Sequence, residues 1–286
     1  MDFDYQPVVR ATAGPYCGAA LVGTWSTIIG WSFADPQLRD GLLGFGIRRS
    51  EWDNHNGELI ELKWLGGYKR FRETDTGTTG DVSSLTGPFQ RFRWNDYTIR
   101  AGRSYRYEVF PMRGVPGALT KHEDPLVFEF TPTPEDNGEL GIYVNRGVSA
   151  AKAYYDRFGD THPAEVDPPD SAYNWLSRGL RESLIAVIDA AQAGDKLHFA
   201  VYEFFDLDIA NRIRRAADNG VLVKIVHDAK ADKHSTHKSR EVVAAAELDD
   251  LSGVICERTT VNISHNKFVI LLRNDEPVML LSLIHI

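Results

Sequence analysis

Residues 265–267 read His-Asn-Lys and stand directly before the apolar run Phe-Val-Ile-Leu-Leu at 268–272. On an extended chain, side chains two residues apart point the same way, so an imidazole and an ammonium would share one face at the mouth of a buried strand. That pair suits an anionic phosphodiester. The Lys267 ammonium would hold the phosphoryl oxygens while the neutral His265 imidazole attacks phosphorus. A bare His-x-Lys carries little weight in a chain with nine histidines, so its meaning rests on the elements around it.

Further candidates lie at other predicted strand ends. Glu203, in Val-Tyr-Glu-Phe, could orient a catalytic histidine or touch substrate, and is equally a polar strand end. Asp228 closes the next strand, where an acid is also an ordinary turn or cap residue. Arg258 leaves a third strand as a candidate anion contact or a plain surface charge, and Asn266 sits between the two bases. The run 227–238 gathers His227, Asp228, Asp232, His234 and His237, but three interspersed lysines oppose a cation and no ligand spacing fits. A polar loop beside the site is the reading adopted; no metal and no cofactor are expected.

These residues need a scaffold, and the second half of the chain supplies the pattern of one. Leu176, Leu180, Leu184, Val187, Ile188 and Ala191 recur at steps of three and four, which predicts one amphipathic helix capped by Asp170 or Ser171 and stopped at Gly194. Lys-Leu-His-Phe-Ala-Val-Tyr-Glu-Phe at 196–204 reads as a strand, 208–220 as a helix, 221–229 as a strand, 239–248 as a helix, then 253–258 and 265–272 as strands. Strands alternating with helices predict an α/β domain. Their nearly continuous apolar runs predict a sheet covered on both faces.

With those elements in order, residues 141–280 resemble the first half of a phospholipase D superfamily domain. The match runs through Ala-Val-Tyr-Glu-Phe at 200–204, the helix, the Ala216-x-x-x-Gly220-Val221-x-Val223 strand ending in Asp228, and the His265-x-Lys267 pair. The resemblance implies a metal-independent phosphodiesterase in which His265 forms a phosphohistidine and Lys267 binds the phosphoryl group. It implies a phospholipid or nucleic-acid phosphodiester as substrate. It also implies a second His-x-Lys, from a repeat half or a second subunit, as the source of the general acid. The chain departs from the family pattern in three ways. The Asp expected after four intervening residues is Leu272, with Asp275 three positions later; a Gly-Ser-x-Asn segment is absent; no second His-x-Lys occurs. A degenerate binding or scaffold protein is the competing reading. The final Leu-Ser-Leu-Ile-His-Ile, 281–286, back-translates to a transposon end used in sequencing-library preparation, so it is read as an artefact following a truncated domain at 137–280.

The first 136 residues have another texture. Short aromatic and β-branched runs separated by Gly, Pro, Asn and Asp predict a β-sandwich, and Arg-Ser-Tyr-Arg-Tyr-Glu-Val at 103–109 resembles a late strand of a fibronectin type III or immunoglobulin-like domain. Alternation there puts Tyr105, Tyr107 and Val109 on a core face, leaving Arg106, Glu108 and Phe110 outside. Trp94, Tyr105 and Tyr107 are read as core aromatics rather than a binding platform. Pro- and acid-rich 131–139 is the expected boundary. The formal charge of −8 is spread evenly, with 15 basic and 19 acidic residues in 1–145 and 17 and 21 in the remainder, which argues against a broad nucleic-acid-binding face. Two cysteines, an acidic N-terminus and no long apolar stretch point to a cytoplasmic protein without a transmembrane segment.

Overall fold

Alternation builds the first part of the chain. In Thr27–Phe33 the side chains at 27, 29, 31 and 33 are buried and those between them are not, as a half-covered strand requires. The computed structural model describes residues 7–77, 79–122, 124–146, 151–168, 170–230, 234–260 and 265–282. It divides into two compact units, one up to Ile142 and one from Tyr143 onward.

The first unit holds β1 (Val8–Ala13), β2 (Tyr16–Val22), β3 (Thr27–Phe33), β4 (Gly44–Asp53), β5 (Leu59–Trp64), β6 (Gly66–Gly67), β7 (Val82–Ser83), β8 (Arg93–Asp96), β9 (Arg103–Val115), β10 (Ala118–Lys121) and β11 (Leu126–Phe130). One antiparallel sheet runs β1-β2-β3-β8; the other runs β10-β9-β4-β5, with β11 also paired to β9. Ile29, Trp31 and Phe33 from the first sheet and Phe45, Tyr105, Tyr107 and Phe128 from the second belong to one core. The sheets approach closely at Gly18, where an added Cβ would lie 2.6 Å from the Gly30 carbonyl oxygen and 2.9 Å from the Phe128 ring. Tyr105, Tyr107 and Val109 are buried, as the alternation predicts, but Glu108 and Phe110 are buried as well. The second face is covered there because Trp64 packs on Phe110 and Arg48 forms a two-pronged ion pair with Glu108.

Within this core sits a charged cluster. Arg49, 4% exposed, donates to Asp96 Oδ2 at 2.9 Å and to Glu61, and approaches Glu51 at 3.6 Å. The Tyr107 hydroxyl donates to Asp96 at 2.8 Å. Burial pushes the Asp96 carboxyl up, but Arg49, Thr98 and Tyr107 outweigh it and hold the group below the usual carboxylate range. Burial pushes the Tyr105 phenol up to about 12, with Glu51 adding to it.

The second unit contains α1 (Ala151–Phe158), α2 (Ser171–Ser177), α3 (Leu180–Asp189), β12 (Lys196–Val201), α4 (Leu207–Asp218), β13 (Leu222–Asp228), α5 (His234–Ala245), β14 (Ile255–Arg258), β15 (Phe268–Arg273) and β16 (Glu276–Ser282). The single helix expected over 171–191 is two helices, because Arg178 and Gly179 both take positive φ and break it. The sheet order is β14-β13-β12-β15-β16. β12, β13 and β14 are parallel, joined through α4 and α5, while β15 runs antiparallel to β12 and β16 antiparallel to β15. Leu197, Phe199, Val223, Ile225, Val269 and Leu271 pack under Leu184, Val187, Ile188, Ile209, Ile213 and Val243 of the helices. The expectation of two covered faces fails. His198, Ala200, Val226, Phe268 and Ile270, on the opposite face, are only half-buried, and Lys224 is exposed. Apolar runs alone do not distinguish the two cases. Leu281 and Ser282 continue β16, paired with Val269 and Phe268; residues 283–286 lie outside the described residues.

Replacing Arg49 with Met would leave Asp96 buried without its cation, while Glu51 keeps Arg100 and Arg103 within 3.8 Å. The expected loss is about 3–5 kcal/mol of stability in this unit, read by denaturant unfolding. Because the Asp96 pKa is lowered on folding, its contribution is present above the ordinary carboxylate value near about 4 and disappears as pH falls through the folded value. The acid limb of the stability curve should therefore flatten in the variant.

Candidate functional site

Register sets the site. Pairing of Ala200 with Phe268 and Phe199 with Val269 aligns the end of β12 with the start of β15, so the residues just beyond them meet: 202–203 from one strand and 265–267 from the other. The parallel strands β13 and β14 end at the same edge, with Asp228 opposite Arg258. Glu203, Asp228, Arg258, His265, Asn266 and Lys267 therefore all lie at one end of the sheet.

His265, Asn266 and Lys267 precede β15 rather than lying on it, since the strand begins at Phe268. The alternation argument for a shared face does not apply to a loop, and another contact takes its place. The His265 ring lies against the Tyr202 ring at a centroid distance of 5.1 Å. The Lys267 Nζ stands 5.3 Å from the centroid of that same ring and donates to the His265 carbonyl oxygen at 3.4 Å. Imidazole and ammonium thus both contact one aromatic ring. His265 and Asn266 are exposed and Lys267 is half-buried, so all three are open to a ligand.

The remaining candidates divide by exposure. Glu203 and Arg258 are exposed. Asp228 is 3% exposed and is not open to substrate. Asp232 lies outside the described residues, and His234 and His237 are exposed on the first turn of α5. Among the described residues no group of three His, Cys, Asp or Glu side chains is placed to hold a metal ion. The loop leaving β12 is fixed from α5: the Ser239 hydroxyl, fully buried, accepts from the Phe204 N–H at 3.2 Å. The Asp206 side chain accepts from the Ile209 N–H and caps α4.

Leu272, where the resemblance puts an acid, is half-buried on β15 at a register shift and lies opposite Lys196. Asp275, in the turn that follows, forms an ion pair with Lys196. An acid therefore returns to that strand position by way of the hairpin, at the end of the sheet away from His265. A concavity of about 540 Å³ lined by Lys196, His198, Lys224 and Ser252 also lies at that far end. It is remote from the His265 cluster.

Sequence reasoning missed Tyr202. Its only signal was its place at the end of a strand, next to Glu203; nothing in the sequence showed which later segment would face it.

The arrangement is that of an α/β domain with its polar residues gathered at the ends of the parallel strands. Residues 184–280 match the family described as cardiolipin synthase, PLD-like domain. A crystal structure of a phospholipase D family member, Nuc from Salmonella typhimurium, aligns with 32% of this chain and 56% of that one, at 24% identity and a TM-score of 0.26. The chain thus spans little more than half the length of that protein. No curated protein matches the chain. No helix among the described residues is long and apolar enough to cross a membrane.

Removing the Ser239 hydroxyl by Ser239→Ala leaves a buried N–H without its acceptor. The expected cost is about 1–2 kcal/mol, with faster amide exchange at Phe204, measured by thermal unfolding and hydrogen exchange.

Proposed function

We propose that the second unit acts on phosphodiesters through a covalent phosphohistidine. The observation that carries this reading is the exposed His265 held beside Lys267 on one ring, within a segment that matches a PLD-like domain family. An unprotonated nitrogen of His265 attacks phosphorus, a P–N bond forms and the P–O bond to one alcohol breaks. Lys267 donates to the non-bridging oxygens, where charge develops. The departing alkoxide takes a proton from a general acid. Water, giving a proton to the now-deprotonated acid, then attacks the phosphohistidine, the P–N bond breaks, and a phosphomonoester leaves. This chain contains one His-x-Lys, so the acid belongs to a second set of residues, from a second copy of the chain or from further polypeptide. Phospholipid and nucleic acid are both accommodated by this chemistry, since the reacting group is the phosphodiester itself. Arg258 and Asn266 are the candidate contacts to it, with Glu203 placed to orient a base.

We infer that the first unit is of the fibronectin type III or immunoglobulin kind. Support comes from two antiparallel sheets that share one core, β1-β2-β3-β8 and β10-β9-β4-β5 with β11 also on β9, the two-sheet build of that class. The Tyr105 hydroxyl accepts from the Arg100 N–H at 3.2 Å, the form of a tyrosine corner. Such a unit fits a role in attachment or substrate presentation. Both cysteines are free, which supports a reducing, cytoplasmic setting. A second reading, a binding protein that has lost turnover, is favoured by Leu272 in the acid position.

His265→Ala should lower hydrolysis of bis(p-nitrophenyl) phosphate by about 10³-fold or more. Stability should stay within about 0.5 kcal/mol of the parent, because the side chain is exposed. Turnover unchanged in the variant would remove His265 from the chemistry. A chain that binds the diester without cleaving it would favour the second reading.

A further inference from the structure

We propose that Tyr202 is the positioning residue of this site, and that the face of its ring holds His265 and Lys267 in a common orientation toward a phosphoryl group. The proposal rests on the phosphodiesterase reading for its purpose, but its geometry stands separately. Three observations support it. His265 and Lys267 lie in a loop, so no strand periodicity aligns them. Both approach one ring, the imidazole at 5.1 Å between centroids and the ammonium at 5.3 Å from the centroid. Tyr202 directly follows β12, the central strand of the sheet, whose partners on either side are β13 and β15. The ring therefore stands on the best-anchored part of the unit, while the groups it touches do not.

The chemistry fits the task. The negative face of an aromatic ring attracts an ammonium and loses little when that ammonium turns toward an anion, whereas a carboxylate there would neutralise it. Aromatic rings also pack in tilted arrangements, which limits rotation of the imidazole. On this account the ring does the positioning and the hydroxyl is dispensable. Phenylalanine should replace Tyr202, and an aliphatic side chain of similar bulk should not.

The test uses the full chain with Tyr202→Phe, Tyr202→Leu and Tyr202→Met, each checked for folding by circular dichroism. Histidine resonances are followed by nuclear magnetic resonance, with His265 assigned by its loss in His265→Asn, and inorganic phosphate is titrated as the probe. In the parent chain the His265 ring protons should be displaced by the Tyr202 ring current. Positions typical of a free histidine would overturn the proposal before any variant is made. Phosphate affinity at His265 should be kept in Tyr202→Phe and fall roughly three- to tenfold in the aliphatic variants. Diester turnover should fall about 10- to 100-fold in the same two. Equal phosphate affinity in all variants, or a loss in Tyr202→Phe matching that in Tyr202→Leu, would overturn the role given to the ring. Undiminished diester hydrolysis in His265→Asn would instead defeat the phosphodiesterase reading, and the phosphate titration would still decide the role of Tyr202.

Discussion

The antiparallel pairing of β15 with β12 is the constraint from which the site follows. It joins residues 68 to 76 positions apart in register, Ala200 with Phe268 and Lys196 with Leu272. A slip of one residue would turn Val269 and Leu271 out of the helix-covered core and move the loop before Phe268 away from Tyr202. The buried side chains of β15 therefore fix where His265 stands, although that histidine contributes nothing to the core. Packing on one face of the strand determines chemistry beyond its end.

Around that pairing the unit separates its tasks. The helix-covered face supplies cohesion through Leu197, Phe199, Ile225 and their partners. The ends of β12, β13 and β14 supply polar groups, and the loop at 202–206 is fastened on both sides, to Ser239 of α5 and by Asp206 to the start of α4. Phosphoryl chemistry depends mainly on holding charge where it develops, so a site assembled from several strand ends needs such fastening more than it needs a deep cavity.

The parts of the fold with strong local signals were legible. α4 follows from the run at 208–220, whose Ile209, Ala210 and Ile213 share a face, and β9 and β13 from their aromatic and apolar runs. Other features depend on distant partners. Small residues such as Gly18, Ala19 and Ala20 dilute the pattern of β2, and the first three strands passed unread. The break at Arg178 requires a left-handed conformation that arginine does not announce. The open sheet face looks like a covered one in sequence, because Ala200, Val226 and Ile270 are apolar either way. The motif 265–267 was visible as residue types, but the ring that gathers it belongs to another strand, and register cannot be read from either strand alone.

The ionic cluster inside the first unit has a consequence for how such a sequence can change over time. Arg49, Glu51, Glu61, Asp96 and Tyr107 answer one another across four strands, so an isolated exchange at Arg49 strands the buried acid opposite it. Viable descendants would have to replace several members together, or not at all. These scattered positions therefore drift as a single inherited block, more durable as a trace of ancestry than the greasy side chains around them, which can be traded one at a time.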